Sequence, residues 1–477
     1  MKYVLLGIFF LNGCFFNPVQ ELHDQIEETY FGNDFVEEPT PLSEGLKSDT
    51  KLNLEMVWQR DIGEHNGSNL DIFHFEESLF VATSDGTIKK FNIDGEELWE
   101  NKIDYKITSG IAGDDENIYL STSDGFLWCL DHKGELVWKT LLSGEINSLP
   151  IIYDSKIVVK INSYKIIQLN AKDGSVIWKY QAAIPPLTFK SEGKLVQANN
   201  VVYLGLPGGK LIAIDSPTGG LVWESNISRS KGTTDIDRAN DITSHPIIDG
   251  SVIYGVTTNG DISALDRRNG KTIWTKPLSS FYGMSFDGFN LFVTHDTGSI
   301  YSVNKEDGEV NWRQGAFQYR RIRKGTLIKD YIVFGDYFGY VHFLSINDGS
   351  IIGRIKFEES QILNNINKIG DSLIVFTNTT GNLICLKVGE EVLNQNKVID
   401  DSLNNELKTD KKMLKKHKVF EREILNSEDF QEAEEEVINS TEDKQTSQNK
   451  KHRVFKNKDK KGKEEKGVLD KLLDKIF

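Results

Sequence analysis

Cysteine is scarce in this chain of 477 residues: only Cys14, Cys129 and Cys385 occur. Three cysteines cannot build a disulfide framework or a four-cysteine zinc site. Cys129 and Cys385 each lie in an apolar, strand-like run, where a cysteine reads as a small buried hydrophobe. Positive charge is scarce as well. The formal net charge is -15, and residues 51–389 carry 41 acids against 34 bases. That balance lacks the basic footprint of a phosphate-backbone binder, so nucleic acid is excluded as a partner. The nine histidines follow no repeated metal spacing, and no Asp, Glu and Asn cluster at calcium-ligand spacing. Neither a metal nor an organic cofactor is expected. The apolar run at the N-terminus, Tyr3 to Leu11, is too short to span a bilayer.

What that run does suit is a signal sequence, with Lys2 as a minimal positive n-region. It ends in Leu11-Asn12-Gly13-Cys14, which resembles a lipobox, the processing site of bacterial lipoproteins. The resemblance implies cleavage before Cys14 and lipidation of that cysteine, several acyl chains being needed for stable anchoring. An ordinary secretory signal or a buried N-terminal strand is the plainer alternative. Phe15, not Asp, follows the cysteine, which by resemblance to enterobacterial sorting signals points to the outer membrane. Residues 1–13 are thus expected to be a signal peptide. Residues 14–50, in which positions 15–50 hold nine acids and one base, are expected to be an acidic, lipid-anchored tether on the periplasmic face.

Residues 51–389 repeat. A tight Asp-Gly-like turn leads into an alternating strand, then a second Gly turn, then a strand ending in Trp. It is seen in Asp85-Gly86…Asp94-Gly95…Trp99, and in Asn259-Gly260…Asn269-Gly270…Trp274. Such turns favour type I′ hairpins because both central residues take positive φ. Between them the chain alternates, as in Ile212 and Ile214 against Ala213 and Asp215. The Trp positions 99, 138, 178, 223, 274 and 312, followed by Gly353, are spaced by 39, 40, 45, 51, 38 and 41 residues. A period near 40 with four strands each is the signature of propeller blades.

The last repeat, near residues 364–388, lacks a terminal strand of its own. Met56-Val57-Trp58-Gln59 can supply it, because Trp58 precedes Trp99 by 41 residues, one more period. The expected fold is all-β: a closed eight-bladed β-propeller with four antiparallel strands per blade and no free sheet edge at the join. Seven of the eight Trp residues fall on the repeat position and read as packing; Trp128 alone is off register.

At 208–223 and 259–274 the repeat resembles that of quinoprotein-type propellers and lacks the Gly-His…Trp-Asp signature of WD40 blades. A narrower match is Gly232-Thr233-Thr234-Asp235-Ile236-Asp237-Arg238-Ala239-Asn240-Asp241-Ile242-Thr243, followed by Pro246. With the lipobox and the eight repeats, it resembles the BamB family of outer-membrane β-barrel assembly lipoproteins over roughly residues 50–389. The resemblance implies a scaffold, monomeric within a larger complex, that binds the BamA insertase and aids nascent outer-membrane proteins to fold.

Two links depart from the period, and both follow an outer strand. One, after Trp178, contains Pro185-Pro186-Leu187-Thr188-Phe189-Lys190; the other, after Trp223, runs through the charged stretch Arg229 to Asp241. They belong to consecutive blades and emerge on one face, so they should lie side by side. Apolar Leu187 and Phe189 beside Lys190, Asp237, Arg238 and Asp241 would make an anchor with a polar rim. Equally, Leu187 and Phe189 could pack beneath their loop while Asp237 and Arg238 pair internally. In the resembled family a Leu-x-Leu-Arg stretch and acids of the later loop contact BamA. Here those positions read Leu187, Phe189 and Lys190, with Asp241 retained and Thr243 where a second acid is common. Lys190 lacks the bidentate geometry of Arg. Arg320, Arg321 and Arg323 follow Trp312 on the same face and read as a solvated rim.

Two other functions fit the repeat: a quinoprotein-like dehydrogenase and a surface carbohydrate-binding propeller. The dehydrogenases resemble longer chains with an adjacent Cys-Cys disulfide and a Ca²⁺ site, which this sequence lacks. A non-enzyme is therefore expected. Beyond residue 390 charge dominates: 428–443 hold eight acids and no base, 444–463 nine bases and one acid. Such blocks read as a helical or disordered extension over 390–477, with a helical-period apolar stripe from Val468 to Phe477.

Overall fold

The computed structural model describes residues 51–63, 70–185, 188, 193–228, 239–358, 360–362 and 366–391. The signal, the tether with Cys14, and the extension beyond 391 lie outside the described residues.

Thirty-two strands among the described residues form eight four-stranded antiparallel sheets. Seven blades are built from consecutive strands: blade 1 at residues 73–102, blade 2 at 112–141, blade 3 at 151–181 and blade 4 at 196–226. Blade 5 spans 247–276, blade 6 spans 284–314 and blade 7 spans 326–356. At six of the eight joins the first strand of one blade meets the first strand of the next, so these strands line the axis. The two middle strands are buried on both faces, while the fourth has alternating exposure and forms the rim.

The eighth blade combines the two ends of the repeat region. Its inner three strands are β30 (Asn367–Ile369), β31 (Leu373–Thr377) and β32 (Asn382–Glu391), and its outer strand is β1 (Leu52–Asp61). Trp58 pairs with Cys385 and Asp61 with Asn382, which is the closure expected from the period.

The Trp repeat has a single physical role at seven seams. Each indole N–H donates to a backbone carbonyl of the following blade: Trp58 to Ile93 at 2.8 Å, Trp99 to His132 at 3.0 Å and Trp138 to Ala171 at 2.9 Å. Trp178 donates to Ser216, Trp223 to Arg267, Trp274 to Lys305 and Trp312 to Ile346. The ring lies against the glycine of that blade's last turn. At Gly219, with φ +73°, an added Cβ would sit 2.7 Å from the Trp178 indole, so the turn needs glycine for both reasons. Each Trp also sits beside a β-bulge, such as that between Lys90 and Phe91, which turns the outer strand.

At the seam from blade 7 to blade 8 the Trp position is Gly353. There Leu52 and Leu54 of β1 join Ile352 and Ile355 in one apolar cluster. The Lys51 N–H donates to the Ile352 carbonyl at 2.9 Å, and Lys329 Nζ donates to the Val388 carbonyl at 2.9 Å.

Cys129 and Cys385 are free thiols buried among apolar side chains. Burial pushes their pKa up, to about 12 and about 11, so both stay protonated and inert. Trp128 is buried too, with the Lys139 ammonium 4.6 Å above its ring.

Candidate partner-binding face

The two long links leave the outer strands β13 (Val176–Gln181) of blade 3 and β17 (Leu221–Asn226) of blade 4. Their described ends meet at one structure, the Pro207-Gly208-Gly209 turn between β15 (Val201–Leu206) and β16 (Lys210–Asp215). On one side Pro185 closes on it: a Cβ at Gly208 would lie 3.9 Å from Pro185 Cγ. On the other side Asp241 caps it, the Gly208 N–H donating to Asp241 Oδ1 at 2.8 Å. The two links therefore flank the same turn, as consecutive blades with a common exit face require.

The second link is pinned firmly where it returns to the ring. Ile242 packs on Gly205 so closely that a Cβ there would fall 2.1 Å from Ile242 Cγ2. The Asn240 side-chain amide donates to the Ser228 carbonyl, and the Thr258 N–H donates to the Asp241 carbonyl. Thr243 Oγ1 donates to the Phe281 carbonyl at 2.6 Å, tying this link to the next one. Thr243 thus holds two links together from a buried position where a charged side chain would lack a partner of this kind.

Asp241 is 1% exposed. Its carboxylate serves the loop's shape, holding the Gly208 turn, and its negative charge reaches as far as the buried Tyr164 hydroxyl, which burial and Asp241 together keep protonated. Leu187, Phe189, Lys190, Asp237 and Arg238 lie outside the described residues. The spacing of the repeat located both loops, but burial of the returning end could not be read from it.

The arginine run corrects a reading. Arg320 is not part of a solvated rim: it is buried, with Nε and Nη2 both on Asp336 Oδ2 at 2.8 and 2.7 Å. Its guanidinium lies 4.8 Å from the Phe338 ring centroid. The sequence signal was Asp336 itself, placed after the strand Tyr331–Gly335, but three arginines within four positions obscured which of them turned inward. Arg321 lies over Tyr337 and Arg323 over Tyr282, both half-buried on aromatic faces.

Among the described residues no group of His, Cys, Asp and Glu is disposed to hold a metal ion. No helix among them is long and apolar enough to cross a membrane.

Comparison with known proteins places this architecture. The family model described as "Outer membrane protein assembly factor BamB" matches residues 84–314. The protein of that name from Vibrio cholerae serotype O1 is 30% identical over 330 residues, 67% of this chain and 86% of its own. That from Bordetella pertussis is 28% identical over 339 residues, 70% of this chain and 87% of its own. Among solved structures, BamB from Moraxella catarrhalis is similar with a TM-score of 0.64 and 23% identity, covering 70% of this chain and 100% of that one. A quinohemoprotein alcohol dehydrogenase from Comamonas testosteroni shares the fold at a TM-score of 0.59 and 12% identity, over 78% of this chain and 84% of its own. The repeat, the closed ring of eight blades and these similarities together show that the chain belongs to the family of the outer membrane protein assembly factor BamB.

Proposed function

We propose that this chain acts in outer-membrane protein assembly as a non-catalytic scaffold that docks the BamA insertase on the face carrying the two long links. Residues 14–50 tether it through lipidated Cys14 to the periplasmic face of the outer membrane, after removal of residues 1–13. The propeller of residues 51–389 is the docking body, and residues 390–477 are a charged extension. Leu187 and Phe189 are the apolar anchors, Lys190, Asp237 and Arg238 form the polar rim, and Asp241 sets the shape of the loop.

The observation that carries this reading is the convergence of both links on the Gly208 turn, held from either side by Pro185 and Asp241. Connection alone does not need 45 and 51 residues between Trp positions, since other blades manage with 38 to 41. An apolar pair within a polar rim is the usual anatomy of an interface hot spot. Co-purification from solubilised envelope membranes tests it: the full chain should bring BamA with it, and the Leu187→Ala, Phe189→Ala double variant should not.

A further inference from the structure

One position, two residues before the inner strand, recurs from blade to blade. In blades 1 to 7 it holds Asp71, Gly110, Leu149, Lys194, His245, Tyr282 and Lys324. Two contacts join blades that are not neighbours, and only side chains reaching into the centre of the ring can make them. Lys194 of blade 4 pairs with Asp71 of blade 1, Nζ to Oδ2 at 2.8 Å. Lys324 of blade 7 meets His245 of blade 5, Nζ to Nε2 at 3.3 Å. Among the described residues the acid therefore pairs with one lysine, and the hydrogen bond of the other is to an imidazole. Arg323, next to Lys324, faces the Tyr282 ring, and its Nε is buried with no hydrogen-bond partner.

This arrangement opposes itself. Burial lowers the Lys324 pKa to about 8, and Lys194 pushes the same way against a weaker pull from Asp71. Burial, Lys324 and Lys194 together hold His245 well below its ordinary value, so it stays neutral. Since Lys324 Nζ donates to Nε2, the neutral ring carries its proton on Nδ1 and keeps one donor to give. Lys324 thus has weaker electrostatic compensation than Lys194, whose ammonium is paired directly with Asp71. At neutral pH it is nevertheless mostly charged, in a polar, partly accessible lumen.

We propose that this inner ring is a binding site for a small oxyanion, a phosphate or carboxylate group, held by Lys324 with Lys194 and the His245 N–H. The incoming charge balances the second lysine and supplies an acceptor for both ammonium groups. Lys194 and His245 are the returning ends of the two long links, whereas Lys324 belongs to neither, so variants at Lys324 test the site apart from BamA binding.

Sulfate is the suitable first probe, since its charge is constant between pH 7 and 9.5. Thermal unfolding of the full chain in detergent is followed against sulfate at constant ionic strength, with chloride as the control. At pH 7 the melting temperature should rise saturably with sulfate, and the apparent affinity should weaken roughly tenfold per pH unit above about 8, as Lys324 discharges. Lys324→Met should lose the saturable response while melting no lower than the wild type in chloride. Phosphate and succinate arms then separate the two sources of the oxyanion. A response equal in Lys324→Met and wild type would place the anion elsewhere and overturn the proposal, as would no saturable response. Should Lys324→Met fail to accumulate, the wild-type profile decides alone, and an affinity unchanged from pH 7 to 9.5 overturns it.

Discussion

Seven seams of the ring are built alike, and the eighth is not. At each of the seven, an indole from one blade lies on a glycine turn of the next and donates to its backbone. The two partners are separated by only 31 to 44 residues, so each such seam is local in sequence. The eighth has no indole: Gly353 takes the Trp position, and Leu52, Leu54 and Lys51 come from the far end of the repeat region. A repeat can duplicate its local seams, but the repeat after blade 7 supplies only three strands and no last turn for an indole to cover. Closure is therefore made by an exchange of strands, with β1 completing the sheet of β30 to β32. The difference teaches where stability is shared and where it is concentrated: seven replaceable staples, and one clasp on which the ring depends.

Removing the clasp should have the largest effect. Deletion of residues 52–61 takes away the outer strand of blade 8, the Leu52 and Leu54 contacts and the Trp58 staple to blade 1 together. It also bares the edge of β32, an invitation to association between chains. The shortened chain should lose its cooperative melt and aggregate; a melt like that of the full ring would break the comparison.

One staple should matter less. Trp178→Ala leaves every strand in place and should lower stability by about 3–5 kcal/mol, the usual range for truncating a buried Trp. The indole loses its donation to Ser216, and Gly219 loses the ring beneath it. Denaturant unfolding measures the cost. A loss as complete as that caused by deleting β1 would mean that the staples are not interchangeable.

The smallest effect concerns acid, and one part of it arises in blade 7, beside the clasp. Burial alone would raise the Asp336 carboxyl, yet the hydrogen bond from His342 and the charge of Arg320 hold it below the usual carboxylate range. Burial lowers His342, outweighing the pull of Asp336. Both shifts have the same sign for stability. The unfolded chain binds the His342 proton more readily, so stability falls as pH drops below about 6.5. The Asp336 contribution, present above the ordinary carboxylate pKa, is lost at still lower pH as the folded carboxyl is protonated. His342→Gln should flatten the upper part of that decline in a pH series of melting temperatures, whereas an unchanged profile would move the acid sensitivity to another blade.

Much of the fold was legible in the sequence because a β-propeller writes its period in residues with few substitutes. Trp58, with no repeat before it, announced the clasp by spacing alone. The site was less legible. Asp241 read as a rim charge and is instead folded under its loop on Gly208, and Arg320 read as solvated and is paired with Asp336. Spacing locates a loop, but the side on which each of its residues points depends on contacts with neighbouring blades. Lys194, Asp71, His245 and Lys324 carried no motif at all. They are separated by tens to hundreds of residues and become a group only because each precedes an inner strand by two positions.

The account rests most on the docking face, and one paired measurement reaches it directly. The Leu187→Ala, Phe189→Ala variant is compared with the wild type for melting temperature and for recovery of BamA from solubilised membranes. Interface anchors commonly contribute about 2 kcal/mol or more, roughly thirtyfold in affinity, so BamA recovery should collapse while the melt stays unchanged. A lowered melt with BamA still recovered would contradict the account, making these residues packing beneath their loop and moving the docking surface to another face of the ring.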